Sequence, residues 1–329
     1  MSPAQGLTAR RLAIVCVVAL LVVAGVTFGP SLGAGGDGGD SSPTQRSAAV
    51  SSPAITGVDS RISRVNRTAT AVESDVRIRV PPEPRRDTLV VDYAVELNDV
   101  RMATAERRVS IAPGNRTVPV TARIPPIRIT PWWMSHVRNG ERTEVTVDAA
   151  ARYPGNDTAV DTFRRSRTVE TEMLSGFNST ESRPIGRNVT GGRALLFVEK
   201  TSARWKSVDP STTWIEIRMV TTNPNSYPVS FYEFGYEATM NGVEMGESVS
   251  EARGVIPPHS NRTIRLMVTL DHARLDEWWR THLERGETTR LRISFSTRVE
   301  GLSGVVELPL DSLTYTRRVD TSMFVNETR

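Results

Sequence analysis

The chain has 329 residues, 41 basic and 37 acidic, with a formal net charge of +4 and one cysteine. That length holds two ordinary domains beyond any terminal segments. A single cysteine excludes an intrachain disulfide and a thiolate metal cluster, and interspersed charge of both signs argues against a nucleic-acid partner. Lys200 and Lys206 are the only lysines, so nearly all the positive charge is Arg. The pairs Arg85-Arg86, Arg107-Arg108 and Arg317-Arg318 read as solvated strand edges and turns.

Residues 1–11 read as a short cytoplasmic N-terminus. The apolar run Leu12–Gly29 is 18 residues long and reaches roughly 27 Å as a helix, near the hydrocarbon thickness of a bilayer. It predicts a transmembrane anchor over 12–30, with Cys16 as one of its small apolar residues. Arg10 and Arg11 precede the run and no Lys or Arg follows until Arg46. The positive-inside rule therefore leaves the N-terminus in the cytoplasm and the rest of the chain extracellular, single-pass in the cell membrane. A signal peptide cut near Gly33-Ala34 is the rival reading, but the apolar core is long for one. Residues 31–53, rich in Gly, Ser and Ala, predict a flexible tether reaching roughly 25 Å.

The rest of the chain carries one segment twice. Trp132–Val147, WWMSHVRNGERTEVTV, aligns without gaps on Trp278–Ile293, WWRTHLERGETTRLRI, with six identities in sixteen positions. Upstream, YAVELNDVRM from Tyr93 matches YEATMNGVEM from Tyr236; downstream, VETEML from Val169 matches VDTSMF from Val319. Matches in constant order at so long a period mean tandem domains rather than a solenoid. They are placed at 54–173 and 193–325. Residues 174–192, of turn composition, are read as an exposed linker.

Each copy reads mostly as strands. Phe234, Tyr236, Ala238 and Met240 alternate with polar residues, then Asn241-Gly242 signals a type I′ hairpin. The first copy has Asn98-Asp99 there, a poorer turn. Trp214, Ile215, Ile217, Met219 and Val220 form another strand. Leu291, Ile293, Phe295 and Val299 give a further alternating face, matched by Val145, Val147 and Ala149. One helix is expected in each copy. The second runs from Asp271 as N-cap to Arg285, with Gly286 closing it; the first starts at Thr130 with Pro131 in its first turn and ends at Gly140.

Trp132, Trp133, Trp278 and Trp279 then plug each helix onto its sheet, with an aromatic ligand platform as the alternative. His136 and His282 share the same helix face and read as packing residues. Four histidines without ligand spacing, and no nucleophile elbow, P-loop or dinucleotide fingerprint, indicate no metal, no cofactor and no enzyme. Sequons at Asn66, Asn115, Asn156, Asn178, Asn188, Asn261 and Asn326 use seven of the twelve asparagines. All lie beyond the anchor, so they support an exported location and offer N-glycosylation sites.

The second copy resembles the late embryogenesis abundant type 2 family, also described as the WHy (water stress and hypersensitive response) domain. The carrying residues are Asn223-Pro224-Asn225, Tyr227-Pro228-Val229, Tyr236, Asn241-Gly242, Ile256-Pro257-Pro258 and the Trp278-Trp279 helix with Gly286. The first copy keeps the helix and hairpin but has Val80-Pro81-Pro82-Glu83-Pro84 at the Asn-Pro-Asn position. Both resemble archaeal and bacterial members more than plant ones. The resemblance implies an antiparallel, fibronectin-III/Ig-like β-sandwich of about seven strands with one helix per copy, and a role in tolerance of desiccation. Asn223, Pro224, Asn225 and Tyr227 become a candidate interaction loop. The expected function is that of a non-enzymatic, membrane-anchored surface protein of the water-stress response. The alternative is an adhesion or envelope-assembly module that holds a protein or glycan partner.

Overall fold

A computed structural model describes residues 52–187, 190–250, 253–301 and 304–324. The expected anchor, Cys16, nearly all of the tether, Asn188 and Asn326 lie outside the described residues. Among the described residues no helix is long and apolar enough to cross a membrane.

The protein is mainly β. The first repeat runs β1 (Ala54–Val65), β2 (Thr70–Val80), β3 (Thr88–Leu97), β4 (Val100–Ser110), β5 (Gly114–Ile124), α1 (Ile129–Arg138), β6 (Arg142–Arg152) and β7 (Ala159–Glu170). Its two antiparallel sheets have the orders β1-β2-β5 and β4-β3-β6-β7. Strict alternation decides which face is buried. Val72, Val76 and Ile78 of β2 and Val118, Val120 and Ala122 of β5 point inward, as do Leu89, Val91, Tyr93 and Val95 of β3.

The second repeat runs β8 (Arg183–Ile185), β9 (Leu196–Val208), β10 (Thr212–Thr222), β11 (Val229–Met240), β12 (Val243–Ser250), β13 (Gly254–Ile256), β14 (Asn261–Asp271), α2 (Leu275–Glu284), β15 (Thr288–Gly301), β16 (Gly304–Pro309) and β17 (Tyr315–Asp320). One sheet has the order β14-β10-β9-β8. The other has β12-β11-β15-β16, with β13 on β11 and β17 on β15. Both hairpin turns place both central residues at positive φ: Asn98 and Asp99 at 49° and 63°, Asn241 and Gly242 at 56° and 84°. Asn holds the first position in both for a second reason. Its side chain bridges to the neighbouring strand, Asn98 to Arg142 O and Glu144 N, Asn241 to Thr288 O and Arg290 N.

Three expectations change here. Thr130 is not a helix cap: α1 begins at Ile129 after a 3-10 turn over Pro126–Arg128, so Thr130 lies inside it. Asp271 does accept a hydrogen bond, from Ala273 N at 2.8 Å, but it caps the 3-10 turn His272–Arg274 that precedes α2. Residues 174–192 are not a free linker over their described part. Leu174, Phe177 and Ile185 are buried, Phe177 packs edge-on against Tyr315 and Phe295, and β8 adds a strand to β9. This strap binds the repeats together, and all described residues fall in one compact unit.

Candidate functional site

The helices α1 and α2 do more than cover their own sheets. They meet each other, and the four tryptophans form a seam between the repeats. Trp132 stacks on Trp278 with planes 4° apart and centroids 6.3 Å apart. Trp132 meets Trp279 edge-on at 4.9 Å, and Trp133 meets Trp278 at 5.2 Å. All four are buried. Full burial of each ring contributes several kcal/mol by area, and the edge and stacked pairings add about 0.5–1.5 kcal/mol each.

A polar chain runs beneath the seam in each repeat. Trp132 Nε1 donates to Thr143 Oγ1 at 3.1 Å, and that hydroxyl meets His136 Nδ1 at 2.8 Å. His136 Nε2 meets Thr171 Oγ1 at 3.0 Å, which donates to Glu141 Oε2 at 3.0 Å. Thr171 gives its one proton to Glu141, so its oxygen accepts from His136 Nε2–H; in the neutral imidazole Nδ1 then accepts from the Thr143 hydroxyl. The second repeat repeats the chain: Trp278 Nε1 to Thr289, then His282, Thr321 and Glu287 at 3.0, 2.9, 3.1 and 3.3 Å. Burial pushes both imidazoles down to about 4, so both are neutral at physiological pH. Burial also raises the Glu287 carboxyl, against the hydrogen bonds from Phe324 N, Met323 N and Thr321.

The glutamates are held in an uncommon backbone state. Gly140 and Gly286 have φ of 66°, and Glu141 and Glu287 follow with φ of 64° and 60°. Gly140 N bonds Val137 O and Glu141 N bonds His136 O, the paired bonds of a Schellman helix end. The left-handed Glu costs about 1–2 kcal/mol. In return its carboxylate reaches backbone N–H groups of the segment leaving β7 or β17: Met173 N for Glu141, Met323 N and Phe324 N for Glu287. Glu141 also accepts from Trp205 Nε1 of the other repeat at 2.8 Å.

His136 and His282 thus have the packing role expected of them. Neither Glu141 nor Glu287 was singled out by sequence, although the signal was present. The six identities between the two sixteen-residue blocks are Trp-Trp, His, Gly, Glu and Thr, the residues that build the seam and its polar chain. A cavity of about 20 Å³ lies between the chains, beside Trp132, Trp278, His136, His282, Met173 and Met323. It has room for about one water and none for an organic substrate.

The candidate interaction loop is built inward. Asn223 is fully buried, and its Nδ2 reaches the carbonyls of Tyr227, Ile256 and Pro257 at 2.8, 3.0 and 3.2 Å. Its Oδ1 accepts from Asn225 N and Nδ2, and Asn225 Nδ2 also donates to Leu195 O. The asparagines clamp three loops. Pro224, Ser226 and Pro228 are exposed and Tyr227 is 43% exposed, so the outward surface of the loop sets one aromatic ring among prolines and a serine. Among the sequons, Asn66, Asn115, Asn156, Asn178 and Asn261 are exposed. Among the described residues no group of three or more His, Cys, Asp or Glu is placed to hold a metal ion.

Residues 220–312 match the family model described as late embryogenesis abundant protein. The match starts in β10, ends at the turn after β16, and takes in the Asn223 clamp, the Asn241-Gly242 hairpin and α2. It lies within the second repeat. No curated protein matches the chain. Among solved structures, a protein from Archaeoglobus fulgidus is 25% identical, covering 38% of this chain and 98% of its own, with a TM-score of 0.36. A protein from Arabidopsis thaliana, solved in solution, is 11% identical over 44% of this chain and 83% of its own, with a TM-score of 0.30. A bacterial adhesin from Mobiluncus mulieris is 9% identical over 82% of this chain and 99% of its own, with a TM-score of 0.28.

Proposed function

We propose that this chain is a non-enzymatic surface protein of the water-stress response. It carries two late embryogenesis abundant type 2 domains, each a fibronectin-III/Ig-like sandwich, behind one uncleaved membrane helix. The observation that carries the reading is the family match over residues 220–312. The internal duplication extends it to the first repeat. A patterned, buried core sets these domains apart from disordered hydrophilic protectants, so protection would come from a folded body that persists near the membrane as water is lost. The two buried histidine chains are closed to solvent and offer no route for a substrate, which favours a binding or scaffolding role over catalysis. Glycans on the exposed sequons belong to the same reading.

The test is deletion of the gene followed by survival through drying and osmotic shock. Reduced survival that the intact chain restores is the expected result; unchanged survival under several water stresses would sink the proposal. The second reading, an adhesion or envelope-assembly module, draws on the exposed Tyr227 and Pro224 of the clamped loop. Pull-down from intact envelopes with Tyr227→Ser separates the two, because only the second reading predicts loss of a captured partner.

A further inference from the structure

The seam is nearly two-fold symmetric, and one place breaks the symmetry. On one side Trp133 Nε1 donates to Thr213 Oγ1 at 2.9 Å, and His272 Nε2 meets the same hydroxyl at 2.8 Å. Strand register identifies the counterparts on the other side. Thr213 pairs with Leu270 and Thr70 with Ile124, so Thr70 is the equivalent of Thr213. The offset of 146 makes Trp279 the equivalent of Trp133 and puts Pro126 where His272 would stand. There the bond is not made: Trp279 is 3% exposed, and its Nε1 is buried without a hydrogen-bond partner.

A cleft of about 370 Å³ opens at this place, between the β1–β2 turn of the first repeat and α2 of the second. That is within the size range of small-ligand pockets, about 300–1,000 Å³. Its apolar lining includes Ile124, Pro126 and Ile129, and Trp279 and Thr70 lie beside them. Around it stand Asn66, Arg67, Arg274, Asp276, Glu277 and Arg280. Arg274 is held by Glu277 at 2.9 Å and Arg280 by Glu284 at 2.7 Å, so the rim presents donors and acceptors without a strong field of one sign. A buried indole N–H left unpaired is unfavourable until an acceptor reaches it.

We propose that this cleft is a binding site for a small neutral polyhydroxylated molecule of sugar-ring size. A hydroxyl of the ligand accepts from Trp279 Nε1, which is closed to solvent in the unliganded structure and is reached by a small outward shift of the rim; its carbon face rests on Pro126, and its outer hydroxyls pair with Asp276 and Arg67. Mixed donors and acceptors over an apolar floor suit a neutral ring with many hydroxyls better than an anion or a hydrocarbon. The site stands apart from the water-stress reading, which survives if the cleft binds nothing.

The experiment labels the full chain with 5-fluorotryptophan in lipid nanodiscs and follows the six tryptophans by fluorine NMR. The Trp279→Phe variant assigns the Trp279 resonance. Methyl α-glucoside and sucrose are titrated as probes, with inorganic phosphate as the charged comparison. The expected result is a saturable shift at Trp279 with one of the sugars, half-complete at or below about 10 mM, while Trp133 stays in place. Pro126→His places an imidazole beside Thr70, as His272 stands beside Thr213, and narrows the cleft where the ligand would sit. It is expected to weaken the response at least about tenfold while the other five resonances keep their folded positions. A Trp279 resonance that does not saturate with either sugar overturns the proposal. So does one that saturates with phosphate, or a response that persists in folded Pro126→His.

Discussion

The twin buried imidazoles make stability fall in mild acid. His136 and His282 ordinarily titrate at 6.5, and burial brings both down to about 4 in the folded protein. A depressed folded value means the unfolded chain takes up the proton first. The contribution is therefore fully present above pH 6.5 and is lost as pH falls toward 4. Each histidine then loses roughly 1 kcal/mol of stability at pH 5.5 and roughly 2–3 kcal/mol at pH 4.5. For the pair the loss at pH 4.5 is about 5 kcal/mol, against a typical total of about 5–15 kcal/mol. Glu287 works in the opposite direction, since its raised folded value makes proton uptake favourable as pH falls toward 4.5. It is common to wild type and variant and cancels in their comparison. The assay is urea denaturation at pH 7.5, 6.5, 5.5 and 4.5 for the wild type and for His136→Gln/His282→Gln, which keeps a neutral donor and acceptor at each site. The wild type should lose stability steeply between pH 6.5 and 4.5. The double variant should keep only a shallow slope, part of it from His272, whose value burial also lowers. A flat wild-type profile, or a variant with the full slope, would show that the two imidazoles are not the source of the acid sensitivity.

Further expectations follow from the same geometry. Trp278→Ala removes the stacked partner of Trp132 and the donor to Thr289, and should cost about 3–5 kcal/mol, read by urea denaturation. Asn223→Ala strands the carbonyls of Tyr227, Ile256 and Pro257 and should cost about 1–3 kcal/mol, with faster amide exchange confined to residues 224–230 and 254–260. Gly140→Ala places a Cβ at a φ of 66° and should cost about 1–2 kcal/mol; thermal unfolding of the single variant measures it, and Gly286→Ala should match it.

Much of the strand and helix pattern was legible because alternation and helical spacing report directly which face of an element is apolar. The Asn241-Gly242 hairpin and the Trp-Trp helices are examples. What covers such a face is not local information. Trp132 meets Trp278 across 146 residues of sequence, and nothing in either helix says that its partner is the other helix rather than its own sheet alone. The strap after β7 was hidden for a different reason. Leu174, Phe177 and Ile185 sit among Gly, Ser and Asn without a period, so composition signalled a linker while three anchors fixed it. The inward use of Asn223 and Asn225 was equally invisible, because a turn asparagine looks the same whether its amide faces water or three carbonyls. The cleft depends on register: Pro126 matters only once Thr70 and Trp279 are known to face the place that His272 and Thr213 occupy on the other side.

The central structural claim is that the repeats are one folded body joined at the tryptophan seam, not two beads on a linker. Equilibrium urea unfolding of the chain, followed in parallel by tryptophan fluorescence and far-ultraviolet circular dichroism, tests this most directly. A single transition with coincident midpoints is expected for the wild type, and a split into two transitions for Trp132→Ala/Trp278→Ala. Two separate transitions in the wild-type protein would contradict it.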